Sequence, residues 1–202
     1  RGGKKEVNLA DLNEIVMRTS QMFARTKKEI AIHRSFQSDV WSVTIDVGQI
    51  EQVLLNLYVN AGQAMPEGGD LYIRTENVEL DKDYVKPFEV PPGRFVKISV
   101  TDTGVGMDEA TRKKIFEPFF TTKEMGRGTG LGLASVYGII KNHGGFINVY
   151  SEIGAGTTFN IYLPHSDKAV RQEPRIHERI FEGTETILLV DDYPDNLKVL
   201  FD

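Results

Sequence analysis

The chain of 202 residues predicts an α/β domain, on three observations. Apolar residues recur at helical spacing over about 9–25, 48–65 and 131–142. Short runs rich in β-branched and aromatic residues lie between them, at 30–36, 41–47, 71–78, 95–101, 146–151 and 157–163. Gly and Pro clusters punctuate the joins.

Taken in order, residues 1–7 open on Arg-Gly-Gly-Lys-Lys and read as a linker remnant. Asn8 is placed to cap the first helix, whose apolar pattern is Leu9, Leu12, Ile15, Val16, Met22 and Phe23. Strands at 30–36 and 41–47 follow. The second helix ends at Pro66-Glu67-Gly68-Gly69. The strands at 71–78 and 95–101 flank a long loop marked by Pro87, Pro91, Pro92 and Gly93. A short helix follows Asp108, and 117–130 is a loop rich in Gly, Thr and Lys. The third long helix stops at His143-Gly144-Gly145, a glycine C-cap signal. The last two strands form a hairpin around Gly154-Ala155-Gly156. A charged linker covers 165–184, then a strand-like run at 186–190 ends in Asp191-Asp192.

Composition removes several function classes. The net charge of −5 is spread along the chain, with no basic patch of the kind nucleic acid requires. No apolar run approaches the roughly 18 residues of a membrane span, so no membrane contact is expected. Without cysteine the chain forms neither disulfides nor thiolate zinc sites, which fits a reducing, cytoplasmic compartment. His33, His143, His165 and His177 are scattered and show no catalytic or metal-binding pattern. His143 falls at a helix C-terminus, where a cation is favoured. The start at Arg1 and the end at Asp202 suggest a piece of a longer protein.

The second helix carries an unusual stripe. Ile50, Val53, Leu54, Leu57 and Ala61 share one face, and Leu55, Tyr58 and Val59 extend the apolar cover. One strip stays polar: Gln52, Asn56, Asn60 and Gln63. A solvated face would carry Lys and Glu; this one carries neutral amides. An amide oxygen can ligate Mg²⁺, a hard cation that takes oxygen donors. An amide NH₂ can donate to phosphate.

Three glycine segments follow. Asp102-Thr103-Gly104-Val105-Gly106 comes straight after an apolar strand, and a carboxylate there can accept an exocyclic amine such as adenine N6. Gly126-Arg127-Gly128-Thr129-Gly130 runs into a helix, whose free N–H groups and positive dipole end attract phosphate. It is neither a Walker loop nor a Rossmann fingerprint. Gly154-Ala155-Gly156 leads into Thr157 and Thr158, whose hydroxyls can support a base or its bound water. Between the first two, Phe116-Glu117-Pro118-Phe119-Phe120 precedes Thr121-Thr122-Lys123 and suggests an apolar hinge carrying a mobile loop. Together these elements point to one nucleotide pocket.

In this order the motifs strongly resemble those of the catalytic ATP-binding domain of sensor histidine kinases, in the Bergerat-fold ATPase superfamily. The resemblance covers about 8–164. Residues 56–61 are similar to the family's N box, 102–106, 128–133 and 154–158 to its three glycine boxes, and 116–120 to its aromatic box. The resemblance implies a two-layer α/β sandwich, with a mixed, mostly antiparallel sheet covered on one face by helices and ATP held there under a lid. By position, Asn60 would ligate Mg²⁺ and Asn56 would contact phosphate. Asp102 would receive the adenine amine, with Gly104 and Gly106 admitting the base. Lys123, Gly128, Thr129 and the amides of Gly130, Leu131, Gly132 and Leu133 would hold the phosphates. Gln63, Thr121 and Thr122 would add nucleotide contacts, and Thr158 would sit near the base. The implied reaction transfers the γ-phosphoryl group to a histidine on a separate dimerisation domain, with Asn56 and Lys123 as its catalytic groups. Related clamp ATPases usually carry a Glu where Asn56 stands, and an amide is a poor general base, so transfer is favoured over hydrolysis. His33 lies inside the ATP domain and is no credible acceptor. Residues 185–202 resemble the opening of a receiver domain, which implies a hybrid kinase with that domain and the dimerisation domain as partners. The lid, about 121–129, is expected to be mobile without nucleotide, and 165–202 to be disordered or paired with a sheet edge.

Overall fold

In the computed structural model, which describes residues 7–122 and 129–166, strand β1 (Asn8–Ala10) precedes helix α1 (Leu12–Thr26). Asp11 caps that helix by accepting the Asn13 backbone N–H at 2.8 Å. Asn8 therefore does not cap it, contrary to the sequence expectation. Residues 8–10 instead pair antiparallel with β3 (Val43–Ile45), a partner more than thirty positions away that helical periodicity cannot reveal.

Between them runs β2 (Ile30–Phe36), with alternating burial. Helix α2 (Val47–Ala64) starts at Asp46, whose Oδ1 accepts the Gln49 N–H at 3.1 Å. Then come β4 (Gly69–Leu80), the short helix α3 (Lys82–Val85) with a 3₁₀ turn (Lys86–Phe88), and β5 (Gly93–Asp102). Helices α4 (Glu109–Lys114) and α5 (Gly132–Asn142) lead to β6 (Phe146–Glu152) and β7 (Gly156–Pro164). Asp108 caps α4 through the Thr111 N–H at 2.7 Å.

The main sheet has the order β2-β4-β5-β7-β6. Only β2–β4 is parallel; the other three pairings are antiparallel. A parallel neighbour requires a crossover rather than a hairpin, and β3 with α2 supplies it. The sheet is thus mixed and mostly antiparallel.

Strand alternation decides where the core sits. Leu71 and Ile73 of β4, Val96, Ile98 and Val100 of β5, and Phe159, Ile161 and Leu163 of β7 share one face and are buried. Against them pack Leu12, Ile15 and Val16 of α1, Ile50, Val53, Leu54 and Leu57 of α2, and Val136 and Ile140 of α5. Each such side chain contributes about 1.5–3 kcal/mol relative to exposure. The opposite parity builds a small second cluster of Phe95, Phe146 and Tyr162 with Val85. Phe146 and Tyr162 stack at 4.4 Å, and the hydroxyls of Tyr84 and Tyr162 lie 2.9 Å apart. The segment expected to be a plain loop between β4 and β5 thus folds into α3 and its 3₁₀ turn, because its apolar residues cover that patch. Among the described residues no helix is long and apolar enough to cross a membrane.

Candidate functional site

Parity also places Asp102. It closes the series Val96, Ile98, Val100 and so faces the helices, only 4% exposed. Burial pushes its carboxyl above the ordinary Asp range; the backbone N–H groups of Gly104 and Thr157 pull the other way. The Gly104 N–H donates to Oδ1 at 2.9 Å. No salt bridge reaches this carboxylate among the described residues. A buried acceptor without a cation suits a neutral donor from a ligand.

The loop after Asp102 is held on two sides. The Val105 N–H donates to the Ala64 carbonyl at the end of α2, at 3.1 Å. The Val105 carbonyl accepts from Gly154 N–H at 2.8 Å, and the Met107 N–H donates to Ser151 Oγ at 2.9 Å. Two close approaches demand glycine. Gly106 (φ +66°) would place a Cβ 1.9 Å from the Glu152 carbonyl oxygen. Gly156 (φ +81°) would place one 2.0 Å from the Asp102 carbonyl oxygen. The first and third glycine boxes are therefore one contact, with Asp102 at its centre.

On α2, Asn56 and Asn60 are half-buried one turn apart, while Gln52 and Gln63 are exposed. The Asn56 Nδ2 group donates to the Gly132 carbonyl at 3.4 Å, which brings the amide strip to the first turn of α5. Among the described residues no side chain caps that helix at Leu131, and the leading N–H groups of a helix suit an anion. Thr129 Oγ1 accepts the Leu131 N–H at 3.4 Å, and the Gly130 carbonyl accepts the Phe119 N–H at 3.0 Å. Leu133 packs on the core beneath this turn. Of the aromatic box, Phe116 and Phe120 pack on the core, while Phe119 is 74% exposed. Thr121 and Thr122 are exposed at the end of this segment. Lys123, Gly128 and most of the expected lid lie outside the described residues, as do the linker beyond Ser166 and the receiver-like run.

One sequence expectation is corrected. Thr158 does not share the sheet face of the Asp102 side chain. Its hydroxyl lies 2.9 Å from that of Thr101 on the sheet face away from α2 and α5. Thr157, 5% exposed, is the threonine beside Asp102, and its hydroxyl lies 2.9 Å from Ser151 Oγ. Motif position gave Thr157 and Thr158 alike and did not point to Ser151, which holds both Met107 and Thr157. The signal existed: Thr157 shares parity with apolar Phe159, Ile161 and Leu163, and Thr158 with Asn160 and Tyr162. His143 is held through both ring nitrogens: Nδ1–H donates to the Ile139 carbonyl at 2.7 Å, and Nε2 accepts the Asp46 backbone N–H at 3.0 Å.

Among the described residues no three His, Asp or Glu side chains converge as a metal-ligand set. The half-buried amide oxygens of α2 nonetheless fit Mg²⁺, which keeps several waters and takes phosphate oxygens beside few protein ligands.

A buried carboxylate at a strand end, facing an amide-bearing helix and an uncapped helix start, defines a nucleotide-binding α/β domain. Residues 45–167 match the histidine kinase-, DNA gyrase B-, and HSP90-like ATPases, and the chain belongs to that family. It is 44% identical over 193 residues to the sensor kinase CckA of Brucella abortus (strain 2308), covering 90% of this chain and 20% of that protein. The chain therefore spans about a fifth of that relative's length. The catalytic domain of the histidine kinase ThkA matches at 31% identity with a TM-score of 0.65, over 79% of this chain and 96% of that one. The crystal structure of ThkA in complex with the response regulator protein TrrA matches at 27% identity with a TM-score of 0.62, over 79% of this chain and 42% of that one. The five-stranded mixed sheet under helices is the fold of histidine kinase ATPase domains.

Proposed function

We propose that this chain is the ATP-binding catalytic domain of a sensor histidine kinase, binding ATP–Mg²⁺ and delivering the γ-phosphoryl group to a histidine on a separate dimerisation domain. The observation that carries this reading is the placement of Asn56. Its amide stands against the first turn of α5. An amide there can donate to phosphate but cannot take a proton from water, which favours transfer over hydrolysis. The 44% identity to a sensor kinase supports the same choice.

In this reading Asp102 accepts the exocyclic amine of adenine, and the Gly104 N–H holds the carboxylate in place. Gly106 and Gly156 keep the backbone close enough for the base to enter. Asn56 donates to phosphate, and Asn60 holds the ion. Mg²⁺, when bound, neutralises the phosphate oxygens. The amides of 130–133 and Thr129 receive the phosphates at the start of α5. Thr121 and Thr122 add contacts at the end of the aromatic box, and Gln63 adds one from α2; by motif position Lys123, as a catalytic group, and Gly128 are expected to contact the phosphates, and both lie outside the described residues. The partners are the dimerisation domain and, if 185–202 opens a receiver domain, that domain; ThkA's structure with a response regulator supports a regulator partner. The implied compartment is the cytoplasm.

Calorimetric titration with a non-hydrolysable ATP analogue tests the site. Binding is expected to need Mg²⁺, and Asn60→Ala is expected to weaken it by about tenfold or more, a loss near 1.4 kcal/mol. No binding with Mg²⁺, or equal binding by both proteins, would overturn the assignment. Steady hydrolysis of ATP by the chain alone would point to a clamp ATPase instead.

A paired substitution separates the two threonines. Thr157→Val should weaken analogue binding several-fold, because it removes a hydroxyl beside Asp102. Thr158→Val should leave it within about twofold, and the reverse ranking would restore Thr158 to the site.

A further inference from the structure

The nucleotide reading leaves several buried polar side chains unused, and one of them is a histidine. His143 is 8% exposed and sits just beyond α5, with both ring nitrogens bonded. Nδ1–H donates within its own helix, to Ile139; Nε2 accepts the N–H of Asp46. Asp46 is also the cap of α2, its Oδ1 and Oδ2 taking the backbone and side-chain N–H groups of Gln49 at 3.1 and 3.2 Å. The imidazole therefore ties the end of α5 to the start of α2.

The same two helices touch through a second polar contact, Asn56 to Gly132. Along α2 the contacts at 46 and 56 are about 15 Å apart at 1.5 Å per residue, and along α5 those at 143 and 132 are separated by a similar rise. The helices are pinned near both ends of their shared length. At the phosphate end the pin is long, 3.4 Å, and belongs to the groups that receive the nucleotide. At the other end it is a part-buried bond of 3.0 Å, remote from those groups. Loading phosphates and an ion between Asn56, Asn60 and the start of α5 pushes on the first pin, and the second adds to the apolar packing of Val136 and Ile140 in resisting splaying.

We propose that His143 is a positioning residue that sets the spacing of α2 and α5, and through it the affinity of the cleft for nucleotide. The effect on affinity rests on the nucleotide reading above; the effect on helix spacing does not. The Asp46 backbone offers a donor there, and Nε2 is its acceptor.

Two substitutions dissect the bonds. The Nδ2 of His143→Asn reaches the position of Nδ1 and keeps the bond to Ile139, but cannot reach Asp46. The Oε1 of His143→Gln reaches the position of Nε2 and keeps the bond to Asp46. The chain has no cysteine, so spin labels can be placed at the exposed positions 59 on α2 and 137 on α5 in the otherwise intact protein. The expected result is a broadened interlabel distance distribution in His143→Asn without nucleotide, and about tenfold weaker binding of the ATP analogue with Mg²⁺. His143→Gln should restore both. If His143→Asn does not fold, His143→Phe fills the space with no nitrogen and should show the same broadening. An unchanged distribution in His143→Asn, or equal losses in the Asn and Gln variants, would overturn the proposal by reducing His143 to packing. If no protein binds the analogue yet only His143→Asn broadens, the positioning role stands and the nucleotide reading falls.

Discussion

Gly156→Ala is expected to destabilise the domain by more than about 3 kcal/mol and to abolish nucleotide binding. The added Cβ would sit 2.0 Å from the Asp102 carbonyl oxygen and 2.9 Å from its carbon, both backbone atoms of β5. No rotamer change relieves such a contact; the strands must part. They part where Asp102 pairs with Thr157, the pairing that aims the carboxylate into the cleft. The left-handed φ of +81° adds about 1–2 kcal/mol for an L residue. Gly154 is the internal control. It has a similar φ, +78°, and a methyl group there would meet nothing within 4 Å, so Gly154→Ala should show only the conformational cost. Denaturant midpoints of the two variants check this. Equal losses would mean that the close approach at Gly156 relaxes without consequence.

Asp102→Ala should weaken ATP binding by about 1–3 kcal/mol, the cost of losing a buried charged acceptor. It should also lower the stability of the nucleotide-free domain, because the Gly104 and Thr157 N–H groups lose their acceptor. Base preference isolates the first effect from the second. Adenine offers an amine where guanine offers a carbonyl oxygen, and a carboxylate needs a donor. Wild-type protein should therefore prefer ATP to GTP, and Asp102→Ala should narrow that preference. Competition titrations with the two nucleotides measure it. Equal affinities in the wild type would sink the assignment of Asp102 to the base.

Much of the candidate site was legible because its parts are local. The Asn56–Asn60 spacing places two amides on one face of any helix. An Asp after an alternating apolar strand inherits the buried parity of that strand, as Asp102 does from Val96, Ile98 and Val100. Glycines at 104, 106 and 156 mark close backbone approach, although nothing local says that 106 meets Glu152 and 156 meets Asp102. Thr157 and Thr158 show where motif position misleads. The turn hides which residue opens the strand, and a slip of one sends the hydroxyl to the other face.

By itself the sequence determined the α/β class, the helix and strand periods, the amide strip and the order of the glycine loops, because each is a pattern within one segment. Only the tertiary structure decided that residues 8–10 form a strand, that the 81–92 segment folds over the outer sheet face, which threonine stands beside Asp102, and that His143 holds the cap of α2. In each case the deciding partner is a backbone or aromatic group far along the chain: β3 for 8–10, Phe146 and Tyr162 for α3, Asp46 for His143. Hydrogen bonds and packing of that range leave no period in the segment that makes them.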